Sequence, residues 1–282
     1  MIPLSVIILS NNEAENIANC IKSAEFANEI IVLDSGSKDK TVEIAKSLGA
    51  KVIQRSLDND FSQQRNFGIS ESQNEWIFML DCDERITEEL ADEIKERVKL
   101  NADITYTVSR ENHFVQGKAL HGVLRPDNVE RLFKKSGSYY EGIIHERLYS
   151  PYPKAKLKSK LIHFPYKSWE AHLCKMNKYT TLLAQKYQEK GKKCHFLSDI
   201  IFKPLWAFFK VYIINLGFLD GKLGLIFSLT HYFYTLEKYI KLDSLNKIYQ
   251  ELSDKHLKLI DELALSENEA GESQQKVIDT LG

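Results

Sequence analysis

The chain opens with a nearly uninterrupted apolar run, LSVIIL at Leu4–Leu9, then a polar stretch, then apolar positions at helical spacing: Ala14, Ile17, Ala18 and Ile21. A short β-branched run without alternation is the pattern of a parallel strand covered on both faces. Asn12 and Glu15 read as a capping box for the helix that follows. The alternation then repeats. EIIVLD at Glu29–Asp34 reads as a second strand. Asp39 can cap a helix carrying Val42, Ala45 and Leu48, which Gly49 ends. A short strand at Lys51–Ile53, a helix at Phe61–Ser70 and a fourth strand at Glu75–Asp81 come next, and Thr87 caps a helix with Leu90, Ile94 and Val98 on one face. This rhythm predicts an α/β fold with an open, mostly parallel sheet and helices on both faces.

From Ile104 to Phe164 the pattern shortens to β-like pieces (ITYTVSR, VERLFKK, YYEGIIHERL, KLIHF), read as sheet extension and long loops on the acceptor side. From Ser168 the chain reads as three helices, and after Ser253 as a polar tail with weak helical character. The expected division is 1–165, 166–252 and 253–282, the second part being an α-helical extension.

Composition changes this picture little. The 282 residues are 43% apolar and 27% charged, as in ordinary globular chains. A net charge of -1 gives no bias towards nucleic acid. The four cysteines form no CxxC pair, so reduced, structural thiols and a cytosolic compartment are expected. The N-terminus lacks the basic region of a signal peptide. The longest uncharged apolar stretches, Val211–Leu219 and Leu223–Leu236, fall short of the roughly 18–20 residues a spanning helix needs.

In open parallel sheets, ligands bind beyond the carboxyl ends of the strands. Three such ends carry polar clusters: SNNE (Ser10–Glu13), DSGSKD (Asp34–Asp39) and DCDE (Asp81–Glu84). No GxGxxG or P-loop motif is present, which disfavours dinucleotide and P-loop sites. Asp34 can accept hydrogen bonds from a base or ribose, or can serve as turn chemistry with Ser35 and Gly36. If strand conformation persists through DCD, Asp81 and Asp83 converge on one side and Cys82 faces the other. Two such carboxylates suit Mg²⁺ or Mn²⁺ bridging to phosphate; a solvated loop is the alternative. Glu84 then starts the loop to the next helix.

Taken in order, VIILSNNEAENI, IIVLDSGSKDKTVEIAKSLGAKV, QQRNFGI and WIFMLDCDE resemble the nucleotide-sugar half of family 2 glycosyltransferases, which have the GT-A fold. RLFKK, EGIIHE and GFLDG resemble the lipopolysaccharide core β-1,4-glucosyltransferase branch. The resemblance covers roughly residues 3 to 240. It implies that Ser10, Asn12 and Glu13 line the nucleotide pocket, with Ser35 and Gly36 beside them. Asp34 would contact uracil or ribose, Arg65 the nucleotide or diphosphate, and Asp81 the ribose. Asp83 would hold the divalent metal. The family's frequent acceptor-side ED pair is missing between Ile104 and Phe164. EGIIHE offers Glu146 as base and His145 as a further metal or phosphate ligand. Asp127 and Glu130 are rival bases. His113 and His163 are expected to be structural.

A lysine-rich segment, with eleven Lys and two acids between Pro151 and Lys193, precedes aromatic amphipathic helices. That combination suits an anionic membrane surface, and Lys175, Lys178, Lys186 and Lys190 could meet acceptor phosphates. The expectation is an inverting hexosyltransferase, peripheral on the inner face of the cytoplasmic membrane. It would move glucose from UDP-glucose to a lipid-linked acceptor such as inner-core heptose. The rival readings are a polyprenyl-phosphate glycosyl synthase and an inactive nucleotide- or glycan-binding module.

Overall fold

A computed structural model describes the backbone of residues 1–56, 60–114, 117–118, 120–142 and 146–281, and side chains as far as residue 256. The first hundred residues follow the expected rhythm: β1 (Ile2–Ser10), α1 (Ile17–Ser23), β2 (Ala27–Asp34), α2 (Thr41–Ser47), β3 (Lys51–Gln54), α3 (Phe61–Glu71), β4 (Trp76–Asp81), β5 (Glu84–Ile86) and α4 (Glu88–Leu100). Then come β6 (Thr105–Phe114), β7 (Gly117–Lys118), β8 (Asp127–Lys134), β9 (Tyr139–Glu141), β10 (Arg147–Tyr149) and β11 (Lys154–His163).

The main sheet runs β3-β2-β1-β4-β8-β6-β11-β5. The first four strands are parallel, β8 is antiparallel to both neighbours, and β6 and β11 are parallel. The shift from alternating to short β pieces after Ile104 is therefore sheet extension, as expected. β9 and β10 form a separate antiparallel pair.

The uninterrupted apolar runs divide by period two between two cores. Leu4, Val6, Ile8, Val32, Phe78 and Leu80 join Ile17 and Ile21 of α1, Ala45 of α2, and Leu90 and Ile94 of α4. Ile7, Ile31, Leu33, Ile77 and Met79 join Ile69 of α3, with Tyr140 and Leu148 of the β9–β10 hairpin. Helices thus lie on both faces. Thr87 caps α4, its hydroxyl accepting from Leu90 N at 3.2 Å. The capping box at Asn12 is not made. Asn12 has φ 54°, and its side-chain oxygen accepts from Lys38 N at 2.9 Å, so it braces two loops instead.

Parallel register brings the strand ends level: Ser10 pairs with Asp34, and Leu9 with Asp81. β1, between β2 and β4, marks the point where strand order reverses, which is where open α/β sheets bind ligands.

The chain forms two compact units, Met1–Ser168 with Phe218–Gly224, and Trp169–Gly217 with Leu225–Gly282. The second contains α5 (Trp169–Glu189), a π-type turn at Phe196–Phe202, α6 (Lys203–Phe209), another π-type turn at Lys210–Ile214 and most of α7 (Gly221–Leu281). The expected second helix forms as one run, Phe196–Ile214, in which α6 is flanked by π turns, and the expected weak tail continues α7. Among the described residues no single helix is long and apolar enough to cross a membrane; the bent pair Phe196–Ile214 and Gly217–His256 passes by length and composition.

Candidate active site

Two cavities open at the carboxyl edge of the sheet unit. The first, about 500 Å³, is lined by Ser10, Asn11, Glu13, Ser35, Phe61, Gln64, Asp83, Arg65, Asp81 and Glu146, among others. The second, about 620 Å³, is lined by Arg110, Asn128, Glu130, Arg131, Tyr140, Glu141, Arg147 and Tyr149, and again by Arg65, Asp81 and Glu146. These last three form a wall common to both.

That wall is an ion-pair network. Arg65, buried on α3, donates to Asp81 at 3.0 Å and to Glu146 at 3.2 Å. Arg131, buried on β8, donates to the other Asp81 oxygen at 2.6 Å and to Glu84. Burial alone raises the Asp81 carboxyl, but Arg131 and Arg65 outweigh it and hold it far below the usual range. Glu84 is fully buried; it accepts from Asp81 N at 3.0 Å, and burial pushes its carboxyl up.

The DCD expectation therefore changes. Strand conformation stops at Asp81, and a turn at Cys82 and Asp83 precedes β5. Asp81 is engaged by arginine through both oxygens, and Glu84 is a buried partner of Arg131 rather than a loop residue. Cys82 does pack into the core. Asp83 is the freer carboxylate.

Asp83 faces His163, whose Nε2 lies 3.4 Å away. Antiparallel pairing of β5 with β11 sets His163 opposite Glu84 and beside Asp83. The Asn112 amide donates to Leu124 O at 2.7 Å, so its oxygen faces His163 Nδ1, also at 2.7 Å. This network places a proton on His163 Nδ1 and leaves Nε2 against the Asp83 carboxylate. A carboxylate and an imidazole held by an outer hydrogen bond are both groups that could take a cation. The expected structural role of His163 fits its contacts with Asn112 and Asp83. Among the described residues no group of three or more His, Cys, Asp or Glu is placed to hold a metal. A carboxylate and an imidazole could still hold an ion that takes its other ligands from water or a bound anion.

Of the residues expected at the nucleotide, Ser10, Glu13, Ser35, Arg65 and Asp81 line the first cavity, whereas Asn12, Asp34 and Gly36 do not. Asp34 is fully buried and accepts from Gly36 N at 3.1 Å, Ser37 N at 2.9 Å and Ser10 Oγ at 3.2 Å. Its carboxylate is used in holding the turn, in which Gly36 supplies φ 90°. Asn11, Phe61 and Gln64 were not singled out from the sequence. Asn11 lies inside SNNE, Gln64 precedes Arg65 in QQRNFGI, and Phe61 opens the same helix.

Glu146 stands at the common wall. Asp127 lines neither cavity, since Arg110 holds both of its oxygens. Glu130 lines the second cavity but pairs with Lys154. His145 lies outside the described residues.

The family model described as Glycosyl transferase family 2 matches residues 5–157. The chain belongs to glycosyl transferase family 2. The match spans β1 to β11 and so contains the two cavities. Among relatives, the lipopolysaccharide core biosynthesis glycosyltransferase LpsC of Rhizobium meliloti is 28% identical over 246 residues, covering 80% of this chain and 89% of that protein. An uncharacterized glycosyltransferase of Rickettsia bellii is 28% identical over 86% of this chain and 87% of its own. Among solved structures, S. aureus TarS 1-349 aligns with 89% of this chain and 92% of its own, at 12% identity and a TM-score of 0.42.

Proposed function

We propose that this family 2 member is an inverting hexosyltransferase that moves glucose from UDP-glucose onto a lipid-linked sugar such as inner-core heptose. One observation carries the reading: Glu146 lies at the wall common to two cavities, where a donor's anomeric carbon and an acceptor hydroxyl would meet. The first cavity takes the nucleotide, with Phe61 offering a half-exposed ring beside Ser10, Asn11 and Gln64. The second takes the acceptor sugar. Arg65 Nη1, Arg131 Nε and the Tyr140 hydroxyl are buried there without a hydrogen-bond partner among the described residues, which leaves donors for sugar oxygens.

Arg65 orients the Glu146 carboxylate, which takes the acceptor hydroxyl proton as that oxygen attacks the face opposite the leaving diphosphate. Asp83, with His163, would hold Mg²⁺ or Mn²⁺. Such an ion, when bound, neutralises charge on the departing diphosphate. The lipid-linked acceptor rests on the resemblance to LpsC, named for lipopolysaccharide core biosynthesis. The helical unit exposes Phe196, Phe202, Trp206 and Phe209, which supports a peripheral position on the inner face of the cytoplasmic membrane.

The test is a donor screen with Mn²⁺ and a heptose-terminated acceptor, read by mass spectrometry. A single hexose added from UDP-glucose is expected. Transfer to a polyprenyl phosphate in place of the sugar acceptor would overturn the reading.

A further inference from the structure

The helical unit crowds three ammonium groups around one pair of tyrosines. Lys192 Nζ lies 4.2 Å from the Tyr187 ring centroid and 5.0 Å from that of Tyr239. Lys203 Nζ is 4.8 Å from Tyr239. Lys238 Nζ is 4.8 Å from Tyr239 and 5.6 Å from Tyr187. Tyr239 is buried with Ala184 and Leu242 in a small core, and Tyr187 packs against it, so the rings form a fixed floor.

Charge is unbalanced at this place. Asp199, 1% exposed, accepts from Lys203 Nζ and from His195 N. Asp243 pairs with Lys247, and Glu237 with Lys241. Lys192 donates to the Tyr239 hydroxyl at 3.2 Å, a neutral partner. Ring faces attract each ammonium but do not neutralise it. The strain shows in Lys238, whose ammonium is pushed down first by burial and then, despite the Tyr239 hydroxyl, by Lys192 and Lys203. A single tetrahedral anion would neutralise Lys192 and Lys238; Lys203 is already held by Asp199, which favours its charged form.

The neighbouring surface tells which anion. Lys203 sits within a stretch whose Phe196, Leu197, Phe202, Leu205 and Trp206 are 52–69% exposed. An exposed apolar stretch beside clustered lysines matches the boundary between acyl chains and phosphates. A soluble phosphate has no use for such a surface.

We propose that Lys192 and Lys238, set around Tyr187 and Tyr239 beside Lys203, bind a phosphate group, and that this phosphate is the headgroup of an anionic membrane lipid. The inference rests on the membrane-facing reading of the helical unit and narrows it from a diffuse basic face to one built site.

The test is flotation of the full chain with vesicles of phosphatidylcholine alone or enriched in phosphatidylglycerol. The wild type, K192Q/K238Q and the charge-matched control K178Q/K186Q are compared, with folding checked by circular dichroism. Lys203 is left in place because its loss would strand Asp199. The wild type should float with phosphatidylglycerol vesicles. K192Q/K238Q should lose about twenty-five-fold in partitioning, fivefold per lysine, and the control pair less than about threefold on the same scale. Equal losses in both pairs would overturn the site while leaving the membrane reading in place. A wild type that floats with neither vesicle overturns the membrane reading and the lipid ligand together. Inorganic phosphate at matched ionic strength is the second arm. If it raises the wild-type Tm but not that of K192Q/K238Q, and no vesicle floats the chain, the ligand is a soluble phosphate and the lipid assignment falls. Transfer by K192Q/K238Q to a water-soluble acceptor should stay at the wild-type level, which separates this site from the transferase reading.

Discussion

Asp81 and Asp83 are two positions apart and do different work. Asp81 neutralises two buried guanidiniums, Arg65 and Arg131. Removing one member of such a buried network strands its partners, at roughly 3 kcal/mol. D81N should therefore lower Tm by about 6 °C or more, seen by calorimetry. The pH dependence has a definite sign. Because the folded carboxyl lies far below its ordinary value, its stabilisation is present above about pH 4 and fades as pH falls further. D81N should flatten that acid limb. D83N should leave Tm unchanged without ligand and abolish the stabilisation that UDP with Mn²⁺ confers. If D81N and D83N behave alike, the division of labour is wrong. Glu146 makes one ion pair and lines both cavities. E146Q keeps its shape and removes its basicity. It should cut kcat by about 10²–10⁴ while UDP affinity, measured by calorimetric titration, changes less than about threefold, because on this reading the acid acts on the acceptor proton.

At the scale of elements, α3 sets a propensity rule against a packing rule. Gly68 lies inside it, where alanine is the better helix former by about 1 kcal/mol. A Cβ at that position would meet Ile7 Cγ2 and Leu33 Cδ1, each at 2.7 Å. Both side chains are fully buried and have little room to move. Overpacking of this kind costs about 1–3 kcal/mol, so G68A should lower the urea midpoint despite the gain in propensity. A raised midpoint would mean that the second core is looser than its burial suggests. The same contrast explains what could be read from the sequence. β1, β2 and β4 were legible because both their faces are buried, leaving unbroken apolar runs. Thr87 was legible because capping is local. The wall between the cavities was not. Arg131 comes from a strand 50 residues beyond Asp81, and the turn at Cys82 and Asp83 breaks the period-two pattern that made the two acids seem to converge. Asp34 follows the turn reading that the sequence also offered: its neighbours, Gly36 and Ser37, take up the carboxylate locally. His163 gained its place from β5–β11 pairing, which no local spacing announces.

The whole molecule adds a feature of chain path. The unit containing the sheet is discontinuous: the chain leaves at Ser168 and returns over Phe218–Gly224. The GFLDG segment, quoted from the sequence for its family resemblance, opens the return. Asp220, at the end of its 3-10 turn, accepts from Leu120 N at 3.2 Å, His121 N at 2.9 Å and His121 Nδ1 at 2.8 Å. Its carboxylate is 6% exposed, so these bonds are shielded and charge-assisted. They pin the loop between β7 and β8, and β8 carries Arg131 into the common wall. D220A leaves two backbone amides without their acceptor, at about 1–3 kcal/mol each. The sheet's two cores are untouched, so the loss should be local. Hydrogen exchange should show lost protection at Leu120 and His121, extending into β8, with β1 and β2 unchanged. D220N retains an acceptor oxygen and should fall between. A chain ending at Ser168 keeps both cores but lacks Asp220, and it should reproduce the D220A exchange pattern within the sheet unit. If β8 exchanges as slowly in D220A as in the wild type, the returning segment merely crosses the unit, and the placement of Arg131 depends on sheet pairing alone.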